Sequence, residues 1–310
     1  MCMKRPYVAK SGFTIVEIII VIIVIAVLSA ITIVSYSQIT TDAQNEGVKN
    51  DLQTVAGAIK KYKASAGGNP ASLTAVDAKT TSGATFTYRR DYSTATFCLM
   101  GTLKSKTFYV EGDDRSVREG QCPIINIANN PSGESSSSGL SGYSSGVVSA
   151  PNVGSANAVS GTDVFQAVTN STTNGQGGIL VVTTKVAPST RYTCSMSFKA
   201  GDTASVGQSV VFSGRGALPN GNYGGEGWGS QTVTLSSTWQ RLNSSFTTPS
   251  SIGTLYVQFR LPTAASGITI QADALICTEG STVYNYGDGS KSGWEWLGST
   301  NLSPSKGSPL

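Results

Sequence analysis

The sequence predicts an α+β protein: one long N-terminal helix packed on a small antiparallel β body, followed by an all-β sandwich. Three observations predict it. An apolar run of 22 residues, Phe13 to Val34, holds a single charge, Glu17. That run passes without a break into a helical stripe, Val48, Leu52, Val55, Ile59 and Tyr62, at steps of four, three, four and three. Beyond residue 70 the chain turns to short segments of β-branched and aromatic residues, punctuated by Gly, Asn and Ser.

The elements follow in order. Residues 1–12 carry Lys4, Arg5 and Lys10 and no acid, so this end is expected to stay on the cytoplasmic side. The apolar run would span about 33 Å as a helix, enough for a bilayer core. Asp42, Lys49, Lys60 and Lys63 fall outside the apolar stripe that follows, and Gly47 and Gly57 weaken the helix modestly. Ala66-Gly67-Gly68-Asn69-Pro70 stops it, which predicts one helix over 13–66, about 80 Å long.

Residues 67–123 read as a compact β body with strands around Thr85–Tyr88, Ala95–Leu99 and Lys106–Val110. Read without any resemblance, residues 129–150 form a Ser/Gly linker, with Ser135 to Ser138 as its low-complexity run. Over 124–287, Tyr192, Cys194, Met196 and Phe198 alternate with polar residues, as do Leu255, Val257 and Phe259, the period of half-buried strands in a sandwich. Residues 288–310 form a Trp-containing tail, and Ser303 to Leu310 reads as disordered.

Composition narrows the chemistry. The formal net charge is +4 from 22 basic and 18 acidic residues. Without the three leader cations the balance is 19 against 18, or +1, no electrostatic footprint for nucleic acid. The chain has no histidine, which removes Ser-His-Asp and Cys-His nucleophiles and His-ligated metals. Catalysis by carboxylates alone stays open in principle, but no acid pair stands out, so no enzyme is expected. Gly287-Asp288-Gly289 lacks the strand–turn–helix context of a nucleotide site. Of five cysteines, Cys2 lies in the leader; Cys98, Cys122, Cys194 and Cys277 form an even set, as in an exported disulfide-bonded chain. Four cysteines allow three pairings, and sequence does not choose, although proximity favours Cys98 with Cys122, leaving Cys194 with Cys277.

Lys10-Ser11-Gly12-Phe13-Thr14-Ile15-Val16-Glu17 and the apolar run behind it resemble the type IV prepilin N-terminus, shared by type IV pili and the pseudopilins of type II secretion systems. A secretory signal would be cut after the run, where Leu28-Ser29-Ala30 is a poor site. A plain anchor needs neither the Gly-Phe junction nor a costly carboxylate. The resemblance implies that a prepilin peptidase cuts after Gly12 and methylates the amine of Phe13. It further implies that Glu17 pairs with the N-terminal amine of a neighbouring subunit. Snorkelling to the interface is the plainer role for Glu17. Many pilins have a proline in this segment; none lies near Val34 here, which puts a kink there in doubt. Phe97-Cys98-Leu99, Phe108-Tyr109-Val110 and Gln121-Cys122-Pro123 look like the end of a short pilin, in which Cys98–Cys122 would tie the last strand region to its neighbour.

Four further segments, in order across about 125–287, resemble carbohydrate-binding-module jelly rolls. They are Asn130-Pro131-Ser132-Gly133-Glu134, Arg191–Ala200, Ser236–Leu242 running into Phe246, and Ile268–Gly280. The resemblance places Cys194 and Cys277 facing the core, as a buried disulfide or as two small core residues, and Trp239 within the core. It implies a structural calcium between first and last strands, with Glu134 and Asp273 at the matching places; two acids fall short of the 6–8 oxygens calcium takes. Aromatic faces beside polar groups suit sugars, which makes Tyr223, Glu226 and Trp228 one candidate patch and Trp294 and Trp296 a second, with packing as the alternative role for Tyr223 and Trp228.

Together these imply a minor or tip subunit of a type IV pilus-like fibre, displaying a glycan-binding jelly roll for adhesion. The expected partners are other pilin subunits, the prepilin peptidase, the assembly platform, the membrane before assembly and a surface glycan. A secretion pseudopilin, or a major pilin with a non-binding head, are the alternatives.

Overall fold

The computed structural model describes residues 14–91, 95–112, 114, 116–135, 140–142, 147–149, 152–154, 157–170, 178–182 and 186–308. Gly12 and Phe13, the expected processing junction, lie outside the described residues, as do Ser136 to Ser138 of the serine run.

Helix α1 runs Ile15–Ala66, 52 residues, close to the bounds the sequence predicts. Thr14 and Glu17 form a capping box at its start, and Gly67, at φ 74°, closes it in the left-handed conformation that glycine adopts without a Cβ penalty. The helix has two unlike halves. Large apolar side chains from Ile15 to Ile39 are exposed, whereas Val48, Leu52, Val55, Ala56 and Ile59 are buried. The buried set is the predicted stripe, joined by Ala56; Tyr62 is only half-buried.

The stripe packs on a four-stranded antiparallel sheet in the order β1 (Thr85–Asp91), β2 (Thr96–Leu103), β3 (Lys106–Glu111), β4 (Arg118–Glu119). Phe97, Leu99, Phe108 and Val110 meet the helix. Alternation turns the neighbouring residues Arg89, Cys98 and Glu111 to the other face, where they pair in register. Cys98 is bonded to Cys122 there. Sequence reading passed over Asp51, a buried helix residue that accepts the backbone N–H groups of Thr81 and Ser82 at 2.8 and 2.7 Å. Burial works to raise its carboxyl, but the hydrogen bonds from Ser82 and Thr81 outweigh it and hold it below the ordinary range.

The C-terminal sandwich has two antiparallel sheets. One contains β6 (Leu140–Gly142), β10 (Gly178–Val182), β12 (Ser209–Ala217), β13 (Tyr223–Thr234) and β15 (Thr254–Arg260), in the order β13-β12-β15-β10-β6. The other contains β7 (Val147–Ser149), β9 (Asp163–Asn170), β11 (Arg191–Ala200), β14 (Gln240–Thr247) and β16 (Ser266–Glu279), in the order β14-β11-β16-β9-β7, with β8 (Asn152–Gly154) also on β9. Phe198, Phe212 and Phe259 meet between them, the last two stacked at 4.9 Å. Cys194 and Cys277 lie opposite each other on β11 and β16, facing this core as a disulfide.

One expectation fails at the end of the chain. Ser303 to Leu310 is not a disordered stretch: as far as Ser308 it is described, and β18 (Ser305–Gly307) pairs with β17 (Trp294–Trp296) and with β5 (Ile124–Asn126). The reason is local. Lys306 bridges to Glu111 of the body at 2.9 Å and to Glu295 at 3.2 Å, while the Trp294 ring lies so close over Gly287 and Gly307 that a Cβ at either would collide with it. The start of the head is therefore closed by its own tail. Asn126, fully buried, ties this sheet to β16 by donating to the Leu275 and Gly287 carbonyls and accepting from Ala128 and Cys277. Body and head meet directly: the Arg89 guanidinium donates to the Pro123 carbonyl, and Glu111 holds Lys306.

Candidate functional site

Register decides which side chains share a face. On β12 and β15, Phe212 lies opposite Phe259, Gly214 opposite Val257 and Gly216 opposite Leu255, and these pairs face the core. The alternate pairs therefore face outward: Val211 with Arg260, Ser213 with Gln258, Arg215 with Tyr256. The edge strand β13 adds Glu226 opposite Arg215 and Tyr223 opposite Ala217. The Arg215 guanidinium sits 5.3 Å from the Tyr223 ring centre, which confirms that both share the outer face.

This row is graded in exposure. Tyr223 is 59 % exposed. Arg215, Glu226, Tyr256 and Arg260 are half-buried, and Ser213 and Gln258 are buried. Gln258 donates its amide to the Ser213 hydroxyl at 2.9 Å. Its Oε1 has no hydrogen-bond partner among the described residues. A buried acceptor without a partner costs stability unless something arrives to meet it. Aromatic rings, guanidinium groups and an amide along one strand face can stack on and hydrogen-bond to a polyhydroxylated ligand.

The predicted triad is thus divided. Tyr223 and Glu226 belong to this row, but Trp228 faces inward, lying against Gly216 and 6.0 Å from the Phe246 ring, as part of the core rim. Bulges between Phe212 and Ala217 shift the β12–β13 register and cause the split. The second aromatic candidate is corrected more strongly. Trp294 is 7 % exposed and packs with Ile124, Ile276, Tyr284 and Tyr286, so its ring offers no open face. Trp296 is half-buried with its ring against Gly289. Trp239 also differs from expectation: it is half-exposed rather than in the core, donating to the Asn157 carbonyl under the Lys199 ammonium.

Sequence reading missed Ser213, Arg215, Tyr256, Gln258 and Arg260. The signal was present: the alternation that turns Leu255, Val257 and Phe259 inward also turns Tyr256, Gln258 and Arg260 outward.

Glu134 and Asp273 approach one another across the loop 159–163. Asp273 Oδ2 accepts from Val159 and Ser160, and Oδ1 from Ala274; Glu134 Oε1 accepts from Thr162 and Asp163, and Oε2 from the Thr162 hydroxyl. N–H groups aimed at these oxygens take the places a cation would need. No third acid joins them in a metal-binding group among the described residues. The donor set does not fit calcium, which takes 6–8 oxygens; the two carboxylates instead hold the loop to the sheet. Burial pushes Asp273 up to about 7 against its backbone hydrogen bonds, and Glu134 adds to the rise. At the head–body contact, burial likewise pushes Glu279 up to about 6, with Arg89 and Arg90 opposing and Asp91 adding to the effect.

At the other end, Glu17 Oε2 accepts from the Thr14 backbone N–H and hydroxyl, each at 2.8 Å. Within one chain this carboxylate has local partners, and its expected partner on another subunit is an assembly question.

Residues 126–266 match the family model of the carbohydrate binding domain. The match falls on the sandwich that follows the apolar helix and the β body. Among solved structures, an arabinose-bound α-L-arabinofuranosidase is similar at 14 % identity over 50 % of this chain and 26 % of that one, with a TM-score of 0.41. This chain thus spans about a quarter of that enzyme. The CBM22-1 xylan-binding domain from Paenibacillus barcinonensis is similar at 13 % identity over 53 % of this chain and 99 % of that one, TM-score 0.41. A family 16 carbohydrate binding module is similar at 20 % identity over 49 % and 99 %, TM-score 0.34. Scores this low add no argument to the family match. No curated protein matches the chain.

Proposed function

We propose that the protein is a minor or tip subunit of a type IV pilus-like fibre, presenting its carbohydrate-binding domain for adhesion to a surface glycan. The observation that carries the reading is the division of α1. Its first half exposes Ile and Val on every side and is long and apolar enough to cross a membrane, and its second half is the spine of a disulfide-closed β body. An anchor alone would not need to continue, unbroken, as the core of the next domain. Exposed in this way, the first half is stable only in lipid or against other such helices.

In this reading the bilayer holds the subunit until assembly replaces lipid contacts with helix–helix contacts. A lone carboxylate in that apolar environment is costly, so a cation from the neighbouring subunit at Glu17 favours one register. The head then projects from the fibre, and the row Tyr223, Arg215, Tyr256, Gln258 and Arg260 meets the glycan. A head this large on a 52-residue helix favours a sparse position over dense self-packing.

Intact-mass measurement and N-terminal sequencing of the protein from its native membrane or surface fraction test the reading. A chain beginning at methylated Phe13 supports it, and Glu17→Ala should then abolish recovery of the subunit in sheared fibres. A chain beginning at Met1 would make it a plainly anchored binding protein. A start near Ala30 would make it a secreted one.

A further inference from the structure

We infer that the C-terminal tail is a strap: it holds the head at a fixed angle to the body through the ion pair of Lys306 with Glu111, and loss of that pair turns the joint into a hinge. This holds whatever the head binds and however the chain is anchored. The tail sheet has two faces. Register and alternation place Trp294, Trp296, Ser305, Gly307, Ile124 and Asn126 on one face, and Glu295, Lys306 and Ile125 on the other. The first face is fixed to the head. Ile124 and Trp294 pack with Ile276 of β16, and the buried Asn126 amide donates to the Leu275 and Gly287 carbonyls. The tail therefore moves with the head, and Lys306, on its other face, ties that movement to the body.

The body meets the head with one row. Arg89, Cys98 and Glu111 lie opposite one another across β1, β2 and β3, so the row is about 10 Å wide at the usual strand spacing. Its first two members hold adjacent residues: the Arg89 guanidinium donates to the Pro123 carbonyl, and Cys98 is bonded to Cys122. Both act on the single connecting chain just before β5, and one point of attachment leaves rotation about it. Glu279, at the end of β16, acts on Arg89 beside the same pivot. Glu111 instead reaches a segment 195 residues away in sequence. Its Oε1 takes the Lys306 ammonium at 2.9 Å, its Oε2 faces Arg118 at 3.5 Å, and both ends of the Lys306 pair are half-buried. Burial works to lower Lys306, but its bonds to Glu111 and Glu295 outweigh it and hold the ammonium above its ordinary value. Apolar packing does not take this role. Among the described residues, the body's hydrophobic cluster lies within 48–117 and the head's clusters begin at Ile124. Glu111 and Arg118 face Glu295 and Lys306 over an open cleft of about 520 Å3. Domains joined through so little apolar contact move relative to one another unless a second attachment stops them.

The test is a distance distribution by pulsed electron spin resonance on the full chain in detergent. Spin labels go on Lys60→Cys in α1 and Ser250→Cys in the head, both exposed positions, with Cys2→Ser to remove the leader thiol. With Lys306 and Glu111 in place, the expected result is one narrow distribution. Lys306→Met keeps the stem of the side chain and removes its charge, and should widen the distribution about twofold or more. Glu111→Gln breaks the same pair from the body without touching the tail sheet, and should widen it as much. The double variant should be no wider than either single one, because the two residues act as one contact. A broad distribution with the pair intact would overturn the strap. Equally narrow distributions in both single variants would overturn it too, since something else would then hold the angle. Widening in Lys306→Met but not in Glu111→Gln would overturn the pair as the hold on the body and assign the effect to damage within the tail sheet. Should Lys306→Met fail to fold, Glu111→Gln decides the question alone.

Discussion

The two outer faces of the sandwich are both polar, and both were hidden behind the same alternating pattern, yet they are built differently. On the β11–β16 side, Arg241 gives its N–H groups to the Ser195 hydroxyl at 2.7 Å, the Ser197 hydroxyl at 3.3 Å and the Ala274 carbonyl at 3.1 Å. Thr193 binds Ser245 and the Gly280 carbonyl, and Asp273 holds the 159–160 turn. On the β12–β15 side, the buried Oε1 of Gln258 has no partner among the described residues. Polar satisfaction separates them. The first face is closed on itself and acts as structure; the second keeps a buried acceptor for something outside the fold.

The largest expected effect comes from breaking the closed face. Arg241 is exposed as a residue but its guanidinium is set among hydrogen-bond partners, and desolvation pushes it down from its ordinary value while Tyr286 and Asp273 oppose the change. Arg241→Met removes its hydrogen bonds to three residues, Ser195, Ser197 and Ala274. Loss of a charged donor to these groups costs about 1.5–3 kcal/mol. All four tryptophans, 228, 239, 294 and 296, lie in the head and its tail, so tryptophan fluorescence in urea reports this domain. A change below about 1 kcal/mol would mean that the network is not structural and would erase the contrast between the faces.

A second effect concerns pH on the same closed side. Asp273 is raised to about 7 and Glu279 to about 6, against unfolded carboxylates near 4. In the window between, the folded head retains protons that the unfolded chain has lost. Stability is therefore full below about pH 4, as far as these two groups act, and declines as pH rises through 6 and 7. The unfolding free energy of the head, read from urea titrations, should be lower at pH 8 than at pH 5 by on the order of 2 kcal/mol. Asp273→Asn should flatten most of that slope. A midpoint that rises over the same window would show that backbone N–H groups, not burial, govern Asp273.

Much of this was legible beforehand because repetition carries information. The stripe Val48, Leu52, Val55 and Ile59 repeats at helical period, and its fit to Phe97, Leu99, Phe108 and Val110 follows from two simple periodicities. The aromatic residues misled. A tryptophan in a Gly-rich stretch suggests an open platform, but glycine also lets a backbone approach a ring face, and that is how Gly287 and Gly307 enclose Trp294. The tail was misread for a related reason. Its strand is only three residues, Ser305–Gly307, and its partner is Ile124–Asn126, about 180 residues earlier, which no local pattern can signal. Gln258 was passed over because its neighbours were read for burial alone.

The smallest expected effect on stability is the most selective. Gln258→Leu fills a buried outward position with a side chain of similar size and removes an amide whose acceptor has no partner among the described residues. One hydroxyl, that of Ser213, loses its bond, and a buried polar pair reduced in this way changes stability by about 1 kcal/mol or less. The same change takes away the only amide between the two arginines on that ridge, so glycan affinity should fall by about tenfold while the urea midpoint hardly moves. Arg241→Met should do the opposite, lowering the midpoint and sparing affinity among the molecules that remain folded. If Gln258→Leu lowers stability as Arg241→Met does and leaves affinity intact, then Gln258 belongs to the scaffold. The unpartnered acceptor would then be a tolerated cost of packing, and the two faces would differ in degree rather than in role.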